Sequence, residues 1–507
     1  MTFHDPSTAV GRFVSLGQSV PRQEGVSMLI GAARFVDDWA KDGVWIGGTV
    51  RSTEAHARLQ GVRCNDSFDW ARVVMVTAAD VPGRNVLELV ENDQPVLAES
   101  ILRHPEEPVA LVAAPDKETL QRALEAITLE IEPLEPVFDV DAALTGRVRI
   151  FGDDNVFKRI EITKGDAAGA LEAAAVVIEA EYTTGSQEHV YLETQGMQAE
   201  WDGHGVTIRG SLQCPYDLAR GVSVVLGLTP ERVRVVQVAT GGAFGGKEDY
   251  PTLIAAHAAL LARKAGRPVR IVYKRSEDMR ATTKRHPSRI RHRTGFTRDG
   301  RLRAMAIDLV LDGGAYATLS PWVLSRAAVH ASGPYQCDNL HITARAVATN
   351  RPPCGAFRGF GAPQALFALE AHLDYCATRL GLDPVGLRRT NLIRPGGALA
   401  TGQRVRDDTR VEEVLDRALA ESRFRARREE FAAFNRRGET RTGRDRFRRR
   451  GIGVSLLMHG TGLFGDGELE TAAEFLLRGH PDGIVRVATA QTELGQGTRT
   501  ILAQAAA

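Results

Sequence analysis

Apolar residues recur along this chain in two rhythms. Short β-branched runs, alternating or unbroken, read as strands at 44–50 (VWIGGTV), 73–78 (VVMVTA), 108–114 (PVALVAA), 176–185 (VVIEAEYTTG), 205–211 (GVTIRGS), 233–239 (VRVVQVA), 269–275 (VRIVYKR) and 303–317 (RAMAIDLVLDGGAYA). The pair RIRHRTGFT and LRAMAIDLVL predicts a hairpin turning at Asp299-Gly300. Apolar positions at helical spacing predict helices over 117–127, 251–266 and 363–382, with another starting at an Asp383 cap. Strands and helices mix without strict alternation, which points to an α+β class. Further strands are expected at 451–460 (GIGVSLLMHG), in ELETAAEFLLRG and in GIVRVATAQ, the last two joined by a Pro481-Asp482-Gly483 turn. A helical pattern begins in LGQGTRTILAQAAA at the end of the sequence.

The chain has 507 residues, enough for about three or four domains. Hydrophobic residues make up 43% and charged residues 25%, the balance of an ordinary globular protein. A net charge of +1 supplies no bulk attraction to nucleic acid or membrane. Its first residues lack a secretory pattern, so the cytoplasm is the expected compartment. Five scattered cysteines without a CxxC pair suit a reducing compartment, and argue against a zinc site or iron–sulfur cluster held by this chain. Residues 423–450 are arginine-heavy, but interleaved glutamates and a helical first half favour a solvated linker over a nucleic-acid arm.

The most informative stretch is GGAFGGKE, Gly241–Glu248, between a strand pattern and a helix pattern. Such loops let backbone N–H groups approach an anionic ligand. The spacing fits GxxxxGK, but Glu248 stands where a nucleotide loop needs a magnesium-holding hydroxyl, so an ordinary nucleotide P-loop is not expected. An acid beside an anion site suggests a bulky, oxygen-rich cofactor on one side and a polarisable substrate on the other. GTGLFG at 460–465 matches GxGxxG but lacks the glycine-to-helix transition of a dinucleotide site. The histidines, among them His189, His286, His330 and His459, show no metal-ligand spacing, and GxSxG is absent.

Taken in order, QEHVYLETQG (187–196), SLQCP around Gln213, GGAFGGKE, RPVRIVYKRSEDM (267–279), AFRGFGAPQ (356–364) and QTELGQG (491–497) closely resemble the molybdenum-binding subunit of the xanthine dehydrogenase/aldehyde oxidase family. VPRQEG, GAARFVDD, RSTEAHAR and VTAADVPGRN are similar to that family's N-terminal hammerhead domain. The resemblance implies an α/β hammerhead domain at 20–140 and a first molybdopterin-binding domain, with the substrate pocket, at 159–400. It further implies a basic, helical linker at 401–450 and the start of a second molybdopterin-binding domain at 451–507. The family's GEPVAL reads EEPVAL at 106–111, which is expected to be a surface change.

The same resemblance implies a molybdenum hydroxylase using water as oxygen source, with molybdenum held through molybdopterin, bare or as its cytosine dinucleotide. Partner subunits would carry 2Fe-2S and FAD. Glu248 and Arg326 match the acid and arginine that face a purine in the xanthine dehydrogenase branch, so they are the expected catalytic pair. An aldehyde-oxidising relative and a non-catalytic remnant are the alternatives. Gln213, Phe244, Gly245, Arg358 and Gln496 would bind the cofactor, and Phe360 and Phe464 would stack on the substrate. The family's general-base glutamate follows further cofactor loops beyond the stretch present here. The isolated chain is therefore expected to be inactive, with a separate chain completing the molybdopterin domain or the sequence being a fragment.

Overall fold

The computed structural model describes residues 15–39, 42–438, 442–460 and 475–507. Its N-terminal strands are β1 (Trp45–Arg51), β2 (Ala57–Cys64), β3 (Val74–Thr77), β4 (Ile101–Leu102), β5 (Pro108–Ala114) and β6 (Ile127–Pro133). There follow β7 (Val156–Lys164), β8 (Val176–Thr184), β9 (Gly196–Trp201), β10 (Val206–Gly210), β11 (Val233–Gln237) and β12 (Val269–Val272). The last are β13 (Ser288–Phe296), β14 (Leu302–Gly314), β15 (Leu340–Ala348), β16 (Leu476–Gly479) and β17 (Val485–Ala488). The helices that bear on the site are α1 (Tyr250–Ala265), α2 (Ser320–His330), α3 (Ala362–Leu380), α4 (Pro384–Asn391) and α5 (Thr498–Ala506).

One sheet has seven strands in the order β11-β10-β9-β12-β1-β5-β3. It runs unbroken from the N-terminal unit into the next, because β1 pairs β12 in parallel, Trp45 opposite Val269. Strand β5 is buried at every position, which explains its unbroken apolar run. Helix α1 packs on this sheet and is buried from Tyr250 to Ala262; its alanines let it lie close to the strands. The glycine-rich loop therefore joins β11, at the edge of this sheet, to a helix clamped into the core.

The second sheet runs β7-β15-β14-β13-β8 and is packed against α2 and α3. Strands β13 and β14 form the expected hairpin. The Gly300 N–H bonds the Thr297 carbonyl at 3.0 Å, and Gly300 takes a φ of 84° that glycine adopts without strain. Ile307, Leu309, Leu311 and Ile342 are fully buried beneath the helices. Each contributes about 2 kcal/mol by the apolar area it removes from water. Asp383 caps α4, accepting the Gly386 N–H at 2.9 Å. The fold is mixed α+β.

Two expectations need correction. Residues 451–460 form no strand. Their polar backbone is claimed by side chains instead, the Leu456 N–H by Glu370 at 2.8 Å and the Gly460 N–H by His330 at 3.1 Å. Glu106 is no surface position either. It is half-buried in the left-handed region at φ 70°, a conformation suited to the glycine of the family pattern. Beyond residue 474, β16 and β17 pair antiparallel across the expected turn, the Gly483 N–H bonding the His480 carbonyl at 3.0 Å, and α5 follows. Among the described residues, no helix is long and apolar enough to cross a membrane.

Candidate functional site

Three loops meet in a cavity of about 620 Å³. The glycine-rich loop contributes Ala243, Phe244, Gly245 and Glu248; the stretch before α3 contributes Ala356–Phe360; the stretch before α5 contributes Leu494–Gln496; Gln213 completes the wall. Six of the sequence-predicted residues, Gln213, Phe244, Gly245, Glu248, Arg358 and Phe360, therefore share one cavity with a seventh, Gln496.

The first two loops are stitched edge to edge. The Arg358 N–H donates to the Phe244 carbonyl at 2.9 Å. Gly245, at φ 101°, lies so close that a Cβ there would fall 2.7 Å from the Ala356 carbonyl carbon. Gly361 is equally constrained, since a Cβ would meet the Val323 carbonyl of α2 at 2.2 Å. Phe244 and Phe360, with φ of 57° and 51°, both occupy the left-handed region that non-glycine residues avoid. Strain of this kind persists where the surroundings dictate it, and it clusters at ligand sites.

Gln213 links loop to acid. Its Oε1 accepts the Gly245 N–H at 3.0 Å, which fixes the amide orientation, and its Nε2 donates to Glu248 at 3.3 Å. The Glu248 carboxyl is pushed up to about 7, first by burial and then by the negative charges of Asp249 and Asp217; the Gln213 bond opposes this. Asp249 is likewise pushed up to about 6 by burial. At neutral pH the site thus holds an acid that can donate or accept a proton. The Gln496 amide is committed to its own loop, donating to the Thr492 carbonyl and accepting the Leu494 N–H.

Arg326 is placed differently. It projects from α2, is not among the cavity-lining residues, and donates to the Gly460 carbonyl at 2.8 Å. His330, one turn on, takes the Gly460 N–H on Nε2 and donates Nδ1–H to the Arg326 carbonyl at 2.7 Å. Both side chains hold the start of the GTGLFG stretch. Phe464 lies outside the described residues.

Supporting residues that motif reading did not assign surround the cavity. Lys247 is fully buried, paired with Glu193 at 3.0 Å and with Ser211 at 2.9 Å. Glu193 also accepts the Gly241 N–H at 2.8 Å, so this ion pair anchors the loop's entry and its exit. His189 bonds the Ala356 carbonyl at 2.8 Å and stacks on Phe357 with centroids 4.2 Å apart. Arg285 lies 3.9 Å from the same ring's centroid and donates to the Arg358 carbonyl at 3.0 Å. His189 and Glu193 fall inside QEHVYLETQG, whose position in the motif order was their signal; Arg285 had none.

Comparison with known proteins agrees with this architecture. Residues 30–135 match the family model of the aldehyde oxidase and xanthine dehydrogenase a/b hammerhead domain, and residues 151–392 and 417–507 match two molybdopterin cofactor-binding domain models. The chain is 35% identical to the nicotinate dehydrogenase large molybdopterin subunit of Eubacterium barkeri, over 80% of this chain and 95% of that one. It is 34% identical to a probable xanthine dehydrogenase subunit of Bacillus subtilis, over 95% of this chain but only 63% of that protein's length. Quinoline 2-oxidoreductase from Pseudomonas putida 86 superposes with a TM-score of 0.86 at 28% identity, covering 97% of this chain and 64% of that one. With three loops built around one glycine-lined cavity and these likenesses along its length, the chain belongs to the molybdopterin-binding large-subunit family of xanthine dehydrogenases and aldehyde oxidases.

Proposed function

We propose that this chain forms the substrate cavity of a molybdenum hydroxylase acting on an N-heterocycle, a purine or a related ring, with electrons passing to iron–sulfur and FAD partner subunits. The observation that carries the reading is Glu248, a carboxyl poised near neutrality in the same cavity as an oriented amide and three phenylalanine rings. The names of the nicotinate, xanthine and quinoline enzymes among its relatives support a nitrogen heterocycle as the substrate class.

The residues present fit molybdopterin. Gly245 lets the glycine-rich loop close on the Ala356–Phe360 stretch to build the cavity wall, since a Cβ there would meet the Ala356 carbonyl carbon at 2.7 Å, and the Gln213 amide is oriented by the Gly245 N–H with its donor end on Glu248. Gln213, Gly245, Arg358 and the 494–496 loop would hold the cofactor, which when bound supplies the two-electron chemistry of the hydroxylation. Glu248, protonated below about 7, donates to a ring nitrogen; ionised, it accepts from a ring N–H. Phe360 covers the flat face of the ring.

A second reading, aldehyde oxidation, is favoured by one observation: Arg326 bonds Gly460 and does not line the cavity. Purine recognition by an acid and a cation together is thereby weakened. The test is turnover of hypoxanthine, nicotinate and benzaldehyde by the chain assembled with its partner subunits and cofactors. Heterocycle turnover, falling about a hundredfold in E248Q while any benzaldehyde turnover is spared, is the expected result. Benzaldehyde oxidation with both heterocycles untouched would overturn the heterocycle reading in favour of the second.

A further inference from the structure

One wall of the cavity is held from the far end of the chain. Glu493 is buried, and its carboxylate accepts the backbone N–H of Gly495 at 2.8 Å, of Gly497 at 3.0 Å and of Arg499 at 3.2 Å. This folds the 493–497 loop back on one anion at the start of α5. Arg22, more than 450 residues earlier, meets that carboxylate at 3.2 Å and donates a second guanidinium N–H to the Gly495 carbonyl at 2.9 Å. It is itself oriented by an ion pair with Glu24. The fork geometry suits arginine, whose planar donors can serve a carboxylate and a carbonyl together.

The rest of the N-terminal segment follows the same course. The Gln23 N–H donates to Thr500 Oγ1 at 3.1 Å, Ser15 Oγ to the Gln504 carbonyl at 2.8 Å, and Gln504 Nε2 to the carbonyls of Ser15 and Gln18 at 2.9 and 3.0 Å. These bonds are polar. Leu16, Val20, Val26, Leu29 and Ile30 are exposed, so the segment has little apolar burial to hold it in place. On its other side the loop is tied to the cavity floor, with Gln237 Nε2 on the Glu493 carbonyl at 3.1 Å and Thr492 Oγ1 on the Gln213 carbonyl at 2.9 Å. The lining residues Leu494, Gly495 and Gln496 sit between the two sets of anchors.

We propose that Arg22 is a positioning residue, and that residues 15–24 form a strap holding the 492–497 loop as a wall of the cavity and so setting how long a pterin stays bound. This rests on the molybdopterin reading above. The strap tightens the wall without touching the ligand.

The experiment compares wild type with R22A, R22K and Q504A in the full chain assembled with its partners. Hydrogen exchange of the 493–504 amides is measured without cofactor, and release of bound molybdopterin is followed by the fluorescence of the freed, oxidised pterin. In R22A, exchange at Gly495, Gly497 and Arg499 and pterin release should both rise about tenfold, the loss expected for a charge-assisted pair. R22K should recover part of each, Q504A should move both in the same direction, and α1 amides should not change. Unchanged exchange in R22A and Q504A would overturn the strap. Faster exchange with unaltered pterin release would overturn its link to the cavity. A wild type that takes up no molybdopterin would fail the functional reading instead, while the exchange data would still decide whether the strap exists.

Discussion

Replacing Glu248 by Gln keeps the side chain's size and one acceptor oxygen while deleting the titrating proton. In the folded chain that carboxyl sits at about 7 against an ordinary 4.5, because burial disfavours its charge and Asp249 and Asp217 repel it. The folded state therefore keeps a proton that the unfolded chain gives up above about pH 4.5. Stability from this group falls as pH rises from there through about 7, and then levels off. Each pH unit between two pKa values is worth about 1.4 kcal/mol, so wild type forfeits at most about 3 kcal/mol across the window, less whatever water in the open cavity screens. E248Q forfeits none of it. The variant should match wild type near pH 4.5 and exceed it by about 1–3 kcal/mol at pH 8. Guanidinium unfolding of both proteins along that pH series is the assay. Taking the difference between them cancels, to first order, the titration of the other buried groups. A difference that stays constant from pH 4.5 to 8 would refute both the shifted carboxyl and the proton chemistry assigned to it.

Three further outcomes follow from the same geometry. G245A must place a Cβ 2.7 Å from the Ala356 carbonyl carbon at a φ of 101°, so it should cost about 2 kcal/mol or more and loosen pterin retention, read by unfolding and pterin content. E106G relieves a left-handed glutamate and should stabilise the chain by about 1 kcal/mol, since the partner it gives up, Arg280, is itself mostly exposed and the pair correspondingly weak; an unfolding curve shifted the other way would oppose this. Burial holds His372 down at about 4, so the unfolded chain takes up a proton below about 6.5 that the folded chain refuses, and stability is lost as pH falls from 6.5 toward 4. H372Q should move the acid unfolding midpoint, followed by circular dichroism, to lower pH.

Whatever is set by neighbours in sequence could be read from the sequence. The β13–β14 hairpin follows from Asp299-Gly300, the α4 start from Asp383, and the buried β5 from seven apolar residues in a row. The cavity was legible because its glycines and phenylalanines lie in short contiguous motifs. What escaped depends on residues brought together from afar. Nothing near Lys247 announces that its partner is Glu193, 54 positions earlier, or that Arg285 will clamp Phe357. The stretch 451–460 has a strand's composition, yet Glu370 and His330 capture its N–H groups, and side-chain competition for the backbone outweighs local propensity. Family resemblance alone puts Arg326 beside the substrate; in the fold its guanidinium has the Gly460 carbonyl within reach.

That placement changes where selectivity can reside. Among the described residues, the cavity-lining groups with the chemistry to tell rings apart are the Glu248 carboxyl, the Phe360 face and the shape set by Phe244. Both phenylalanines are held at positive φ, which costs about 1–2 kcal/mol each relative to ordinary backbone. The fold sustains that cost through the Arg358–Phe244 backbone bond, the Gly245 contact and the Lys247–Glu193 pair at the loop's base. Two strained aromatic residues flanking a carboxyl that titrates near neutrality suit a flat ligand with a hydrogen-bonding edge better than a small carbonyl compound. Arg326 and His330 both bond the backbone of Gly460, one at its carbonyl and one at its N–H.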